Sequence, residues 1–411
     1  MSFDQAISGL NAAQTNLDLI GNNVANANTV GYKSATAEFS DVYAATISNQ
    51  GLVQTGIGVA INHTSTDYSQ GAITVTNNPL DIAINGEGFF QLSRSGAQVY
   101  SRNGTFQVNS SGFLSNANGD LVEGYGVDST GAIQQFPTPN PIPISLSDIS
   151  PQQTGKIALV ANLNSNSTPL NVANFNPTDT STYTSSTSTQ VFDSLGHSHT
   201  LSLFFIDNNA ALNSWDARAQ LDGVSVNSGN SIGELNFASD GTINTSTSTF
   251  PATISLNIPG GATTPQSVKL DVTGTTQYSS AFGVTQVTQD GYQAGSLTGL
   301  SITAAGIISG TYSNGLTRAQ GQISLASFTN KQGLQAESGN AWSQTQASGV
   351  PVVGAPQSGT LGSLQSGSLE QSNVDLTTAL VNMITAQYDY QANSQTIKTE
   401  NAIMQTLTQM G

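Results

Sequence analysis

The chain has 411 residues, enough for two or three domains. Only 8% of them are charged, against about 25% in ordinary soluble proteins, and the balance is acidic, 9 Lys and Arg against 25 Asp and Glu. That leaves no basic surface to neutralise phosphates, so nucleic acid and membrane insertion are excluded as expectations, and the absence of cysteine excludes disulfides, thiolate metal sites and cysteine nucleophiles.

The polar surface must consist of Ser, Thr, Asn, Gln and Gly, which cost less to desolvate than ions. A surface of that kind suits a protein packed against copies of itself. The start, Met1-Ser2-Phe3-Asp4-Gln5, lacks the basic and apolar regions of a secretory signal. No apolar run reaches the roughly 18 residues of a membrane span. The expectation is cytoplasmic residence or export without a cleaved signal.

From the amino terminus, Phe3, Leu10, Leu17 and Val24 recur every seven residues, with Ala6, Ala13, Ile20 and Ala27 three places on. This is an a/d seam, the spacing that keeps one helical stripe facing a partner helix. Ser2 with Gln5 matches a capping box, and Gly31 can end the segment. From Leu80 to Val127, short alternating runs are broken by Asn85-Gly86, Ser95-Gly96, Asn103-Gly104, Ser111-Gly112 and Asn118-Gly119, which predict strands joined by tight turns. A cluster of Pro137, Pro139, Pro141 and Pro143 reads as a linker. Beyond it, a Ser-, Thr- and Asn-rich stretch contains its own strands, such as Leu201 to Ile206 and Ile254 to Ile258. The β grain returns from Tyr292 to Leu334, with Ala305-Gly306, Asn314-Gly315 and Gln332-Gly333 as breaks. At the carboxyl end Leu369, Leu376, Met383, Tyr390, Ile397 and Met404 recur every seven, thickened by Leu380 and Leu407. Asn373 or Ser372, followed by Asp375, supplies the start of a long helix.

The expected fold is therefore mostly β with α-helical termini. The terminal helices pair as a coiled coil, followed by two or more discontinuous, nested β domains. The expected division is 1–30 with 371–411 as the helical domain and 31–75 with 345–370 as an extended connecting region. An inner β domain takes 76–145 with 289–344, and an outer β domain, 146–288, is an insertion. The seam residues Phe3, Leu10, Leu17, Ile20 and Val24, with Leu369, Leu376, Leu380, Met383, Tyr390, Ile397, Met404 and Leu407, are the expected coiled-coil and polymer interface.

Catalytic chemistry finds little footing. His197-Ser198-His199 puts two imidazoles on one strand face near Asp193 and Asp207, but no third ligand is evident, so no metal site is expected. Asp193, Asp207, Asp216 and Asp222 offer carboxylate pairs for glycoside hydrolysis without an aromatic platform to frame them. Asn85-Gly86-Glu87-Gly88 has no Lys-Ser/Thr after it and is no phosphate loop. No catalytic residue and no cofactor are expected.

Three stretches carry a resemblance. Asn16 to Lys33, reading NLDLIGNNVANANTVGYK, resembles a signature of the rod and hook axial proteins of the bacterial flagellum. Ser372 to Leu376, Leu380 to Ile384 and Gln387 to Asn393 resemble that family's second signature, and Leu80 to Phe90 followed by Tyr100 to Gly104 is a third match. The matching positions are Asn23, Asn26, Asn28, Thr29, Gly31, Tyr32, Lys33, Asn373, Asp375, Gln387, Tyr390 and Asn393. The middle region, with Val191 to Thr200, looks like the outer domain of hook members, whereas rod members are shorter. The resemblance implies a non-enzymatic subunit, exported through the flagellar type III apparatus and polymerising beneath a hook cap. It implies a short curved tube joining the distal rod protein to the filament through hook-filament junction proteins, a universal joint at the cell exterior. Rival expectations are a distal rod protein and a secreted β-rich carbohydrate-binding protein or hydrolase.

Overall fold

The computed structural model describes residues 3–46, 53–128, 131–134, 138–209 and 213–410. The chain is mostly β with one long helix at each end, and it divides into two compact units. The first unit takes residues 1–146, 299–311 and 317–411; the second takes 147–298 and 312–316.

Helix α1, Phe3–Ala25, opens the first unit. It stops well before Gly31 because the Asn26 amide bonds back to the Asn22 carbonyl at 2.9 Å, competing with the helical ladder. Gly31 instead holds the turn beyond, at φ 69°. Ser2 of the expected capping box lies outside the described residues. Helix α2, Leu376–Met410, is 35 residues and about 52 Å long. Asp375 is its cap: Oδ1 accepts the backbone N–H of Thr377 at 2.9 Å and of Thr378 at 3.2 Å.

The helices pack together, and the buried positions of α1 come mainly from the second heptad row, Ala6, Ala13 and Ile20, and not from the first. Ala6, Ala12, Ala13 and Ile20 of α1 and Ala386 of α2 are buried. A Cβ on Gly9 would lie 2.7 Å from Asn393 Oδ1, so glycine sets the closeness of that crossing. Leu10, Leu17, Val24, Met383 and Ile397 are half-buried, while Phe3, Leu376, Leu380, Tyr390 and Met404 lie 36–60% exposed. Of the residues expected at the coiled-coil and polymer interface, Ile20 is buried within the single chain and the others named here are only partly covered by it. Small side chains let two backbones approach, and the bulky ones are displaced to the flanks. Leu369 is not helical at all; it sits in the strand Ser368–Glu370, ahead of the Asp375 cap. The Leu407 side chain lies outside the described residues.

Between α1 and the β core, β1 (Ala35–Thr46) and β2 (Val53–Thr66) form a long antiparallel hairpin. It lies against α1, and Gly58, at φ 137°, is the contact point: a Cβ there would fall 2.1 Å from Ser8 Oγ. The strands β3 (Ile73–Val75), β4 (Ile82–Asn85), β5 (Phe89–Arg94) and β6 (Ala97–Ser101) then receive antiparallel partners from the returning chain. Ser368–Glu370 pairs with β3, Ser363–Ser366 with β4, Leu325–Ser327 with β5 and Ala341–Ser343 with β6. The core joins Ile82, Ile84, Phe90, Leu92, Leu114, Val122, Ile308, Ile323 and Leu325, with Phe89, Tyr100, Phe328 and Trp342 as an aromatic cluster beside it.

Ser95-Gly96 is a turn as expected, with both residues at positive φ, 53° and 89°, the mirror-image geometry that suits strand twist. Asn103-Gly104 is not a hairpin. Gly104 is there because Ile82 O approaches so closely that a Cβ would sit 1.7 Å away. Nor is the proline cluster a free linker. Asn140–Pro141 pairs with Gly124 and Glu123, and Ile142 and Ile144 enter the core. Alternation lets the isoleucines face inward while the prolines keep to the edge; Pro137 lies outside the described residues.

The second unit is a β sandwich. One sheet runs in the order Ala252–Leu256, Gln266–Asp271, Lys156–Asn164, Gly283–Gln289, with Thr276–Tyr278 also beside Lys156–Asn164. The other runs Ser185–Phe192, Ser198–Asn209, Ser214–Leu221. Both sheets feed one core around Trp215, Phe205, Leu235, Leu159 and Val268. Strict alternation along Lys156–Asn164 sends Ile157, Leu159, Ala161 and Leu163 inward.

Candidate assembly site at the root of the terminal helices

Where both helices join the first unit, the chain places three of its few charges out of water. Lys33, Arg102 and Glu370 are 3%, 3% and 0% exposed. Lys33 Nζ donates to Glu370 Oε1 and to the Ser69 carbonyl, each at 2.6 Å. Arg102 donates from Nη1 to Glu370 Oε2 at 3.1 Å and from Nη2 to the Gly86 carbonyl at 2.9 Å, with its guanidinium 5.4 Å from the Phe89 ring centre. The Gly71 N–H adds a third donor to Glu370, at 2.9 Å. Burial pushes the Lys33 ammonium below its usual range, and hydrogen bonding and charge from Glu370 pull the other way. A buried carboxylate between two cations is tolerable because every oxygen is engaged.

The backbone around this triad is equally tied. Gly31 N–H donates to the Glu370 carbonyl at 2.7 Å, and a Cβ on Gly31 would meet the Arg102 backbone at 2.6 Å. Asn373 clamps the start of α2. Its Oδ1 accepts Ser34 N–H at 2.8 Å and its Nδ2 donates to Asp67 O at 2.8 Å. Asn23 does the same for α1, donating to Ala35 O at 2.7 Å and accepting Ala35 N–H at 3.0 Å. Tyr32 OH donates toward Asn22 and Asn23, and burial pushes its phenol above the usual range. Thr29 Oγ1 bonds Asn26 Oδ1 at 3.1 Å.

Most residues singled out from the sequence thus meet in one clasp: Asn23, Asn26, Thr29, Gly31, Tyr32, Lys33, Asn373 and Asp375. Asn28, Gln387 and Tyr390 stay exposed, and Asn393 lies at the Gly9 crossing. Sequence reading missed Glu370 and Gly71, and noted Arg102 only as part of a match. The available signal was scarcity. The chain has only 9 basic residues, and Lys33 and Arg102 both fall inside the matched stretches.

The two histidines of the second unit meet Asp193 and Asp222, while Asp207 and Asp216 are engaged elsewhere. Asp193 Oδ2 lies 3.1 Å from His197 Nδ1 and 3.6 Å from His199 Nε2, while His199 Nδ1 lies 2.6 Å from Asp222 Oδ2. Burial pushes both carboxyls up, but hydrogen bonds from the histidines and neighbouring backbone N–H groups outweigh it and leave them below the usual range. Asp207 is occupied by Ser167 Oγ at 2.6 Å, and Asp216 by Arg218 at 2.8 Å. Among the described residues no three His, Cys, Asp or Glu side chains are arranged to hold a metal ion.

Four family descriptions match in chain order. Residues 3–33 match "Flagella basal body rod protein" and 83–159 match "Flagellar hook protein FlgE/F/G D1 domain". Residues 162–292 match "Flagellar basal body protein FlaE D2 domain" and 365–410 match "Flagellar basal body rod FlgEFG protein C-terminal". The flagellar hook protein FlgE of Escherichia coli (strain K12) is 38% identical over 100% of both chains. The chain belongs to the flagellar hook protein family. Hook proteins of Rhizobium meliloti and Treponema pallidum are 33% and 31% identical, each over at least 97% of both chains. A solved flagellar hook protein, FlgE2 of Helicobacter pylori, shares the fold at TM-score 0.54, with 14% identity over 72% of this chain and 100% of that one. The first and last of the four matches, both to basal body rod descriptions, end within or span the clasp: Lys33 closes one and Glu370 falls inside the other.

Proposed function

We propose that this chain is the structural subunit of a flagellar hook, polymerising into a short, curved, flexible tube that carries torque from rod to filament. The observation that carries this reading is full-length similarity to hook proteins, with their two terminal matches meeting at the buried Lys33–Glu370–Arg102 clasp. The clasp fixes the directions in which α1 and α2 leave the β core. The flanking residues Phe3, Leu376, Leu380, Tyr390 and Met404, left bare by the small-residue seam, are the surface that neighbouring copies cover. Covering the exposed remainder of each is worth about half of the roughly 1.5–3 kcal/mol of a full burial, and together these favour assembly once a helix is already held in place. The partly covered Leu10, Leu17, Val24, Met383 and Ile397 complete the same stripe.

The subunit is exported unfolded by the flagellar type III apparatus and meets the distal rod protein at one end of the tube and the cap and junction proteins at the other. No catalysis is expected of it: each of its 3 histidines faces a carboxylate, His63 Glu38, His197 Asp193 and His199 Asp222. Electron microscopy of concentrated protein tests this directly. Curved tubes are expected; straight ones would favour a distal rod protein, and their complete absence would remove the reading.

A further inference from the structure

The sandwich of the second unit is unfinished along one edge. The strand Gly283–Gln289, sequence GVTQVTQ, pairs on one side with Lys156–Asn164, and among the described residues no strand pairs with its other side. A register shift lies between Val160 and Ala161, so Val284 stands opposite Ala161 and Val287 opposite Leu159. Residues directly opposite in an antiparallel pair share a face. Both valines therefore point to the core side, as Leu159 and Ala161 do, yet they remain 39% and 41% exposed. Natural edge strands are blunted by Lys, Pro or inward charges. This one has no charge and no proline.

The opposite edge of the same sheet has the complementary form. Among the described residues Ala252–Leu256 pairs with Gln266–Asp271 and with no other strand. Its free side borders a cavity of about 470 Å³, lined also by Val224, Val226, Ser228 and Ile232 and holding no ionisable side chain. Pro251 and Pro259 bracket this strand, limiting any added partner to a short segment. One edge is a bare, uncharged strand; the other is an uncharged groove beside a bare strand.

We propose that Gly283–Gln289 of one copy pairs with Ala252–Leu256 of the next, continuing the sheet from subunit to subunit. The inference rests on the polymer reading above. Pairing two different edges is head-to-tail, and contacts of that kind propagate instead of closing on themselves. Main-chain hydrogen bonds supply the attachment, and the neighbour covers Val284 and Val287.

The test uses the full chain, which has no cysteine of its own. Thr288 and Ser255 lie on the solvent faces of the two strands. Thr288→Cys and Ser255→Cys in one chain should give an oxidised ladder of covalent oligomers in the polymer, and Thr253→Cys replaces Ser255→Cys where the stagger differs. Each single cysteine should give no covalent dimer. Val287→Lys should raise the critical concentration for polymerisation at least tenfold while Trp215 fluorescence stays native; Val224→Lys, on an exposed apolar residue of the groove rim, should also raise it. Covalent dimers from Thr288→Cys alone would replace head-to-tail pairing by self-pairing of one edge. Polymers of Val287→Lys at the wild-type concentration, with no ladder from either double variant, would overturn the proposal alone. Failure of the wild type to polymerise would overturn the hook reading and the pairing with it.

Discussion

Replacing Glu370 by Gln keeps the shape of the clasp and removes the one negative charge between two cations. Lys33 and Glu370 side chains are wholly buried and Arg102 is 3% exposed, so water cannot substitute for the lost carboxylate. Three donors converge on Glu370, from Lys33, Gly71 and Arg102, and a carboxamide has one oxygen to offer them. Breaking a buried ion pair by removing one partner costs about 3–5 kcal/mol. Urea unfolding reads this, provided the two units are separated. Trp342 belongs to the first unit and Trp215 to the second, and they are the 2 tryptophans of the chain. In a Trp215→Phe background, Trp342 fluorescence follows the first unit. At an m-value of about 2–3 kcal/mol/M the midpoint should fall by roughly 1–2.5 M with the slope unchanged. Lys331→Met provides the contrast. Its ion pair with Glu87 is solvent-exposed, so its loss should cost about 0–1 kcal/mol. Equal midpoints for the two variants would refute the argument that the buried triad holds the helix roots.

Glu123 carries a prediction of opposite sign. Burial pushes its carboxyl above the usual range, and one hydrogen bond from Gln91 at 2.7 Å only partly offsets this. The folded protein therefore holds this proton more tightly than the unfolded chain. Stability contributed by that proton is full below the unfolded value and is lost as pH rises through the folded one. Glu123→Gln should raise the Trp342 urea midpoint at pH 7 and leave it level with the wild type near pH 4; a variant destabilised equally at both would contradict it. Leu380→Pro should break α2 in its second turn, costing about 3 kcal/mol or more, and abolish tubes in electron micrographs. Ala386→Leu should wedge the small-residue crossing apart and lower the far-ultraviolet helicity gained on assembly, whereas Leu380→Ala, at an exposed site, should raise the concentration needed for assembly and leave the helicity of the polymer unchanged. Amide exchange in dilute monomer should be fast across 1–30 and 371–411 and slow in the polymer, because ordering these ends costs about 1–2 kcal/mol per residue and neighbours supply much of the compensating burial.

The local signals in the sequence were those that depend on spacing and on special backbone geometry. Two heptad rows gave two terminal helices, Ser95-Gly96 gave a mirror-image turn, and the alternation of Ile254 to Ile258 gave a strand. The residues matched to the flagellar axial proteins were legible for the same reason, since Asn23, Tyr32, Lys33 and Asn373 sit in short contiguous stretches. Whether a given leucine is buried was not legible. Heptad position places Leu380 and Tyr390 near the seam, but how close two helices come is set by the smallest side chains at the crossing. Here Gly9 and Ala386 decided it and left the larger ones outside. Nor could Glu370 be seen. Its partners are 337 and 268 residues away, and only the return of the chain against β3 brings the three charges together. Sequence by itself determined which segments were helix and strand, because those preferences act over a few neighbouring residues. Tertiary structure alone decided which charges are buried and which apolar faces stay bare, because both depend on what distant chain arrives to cover them.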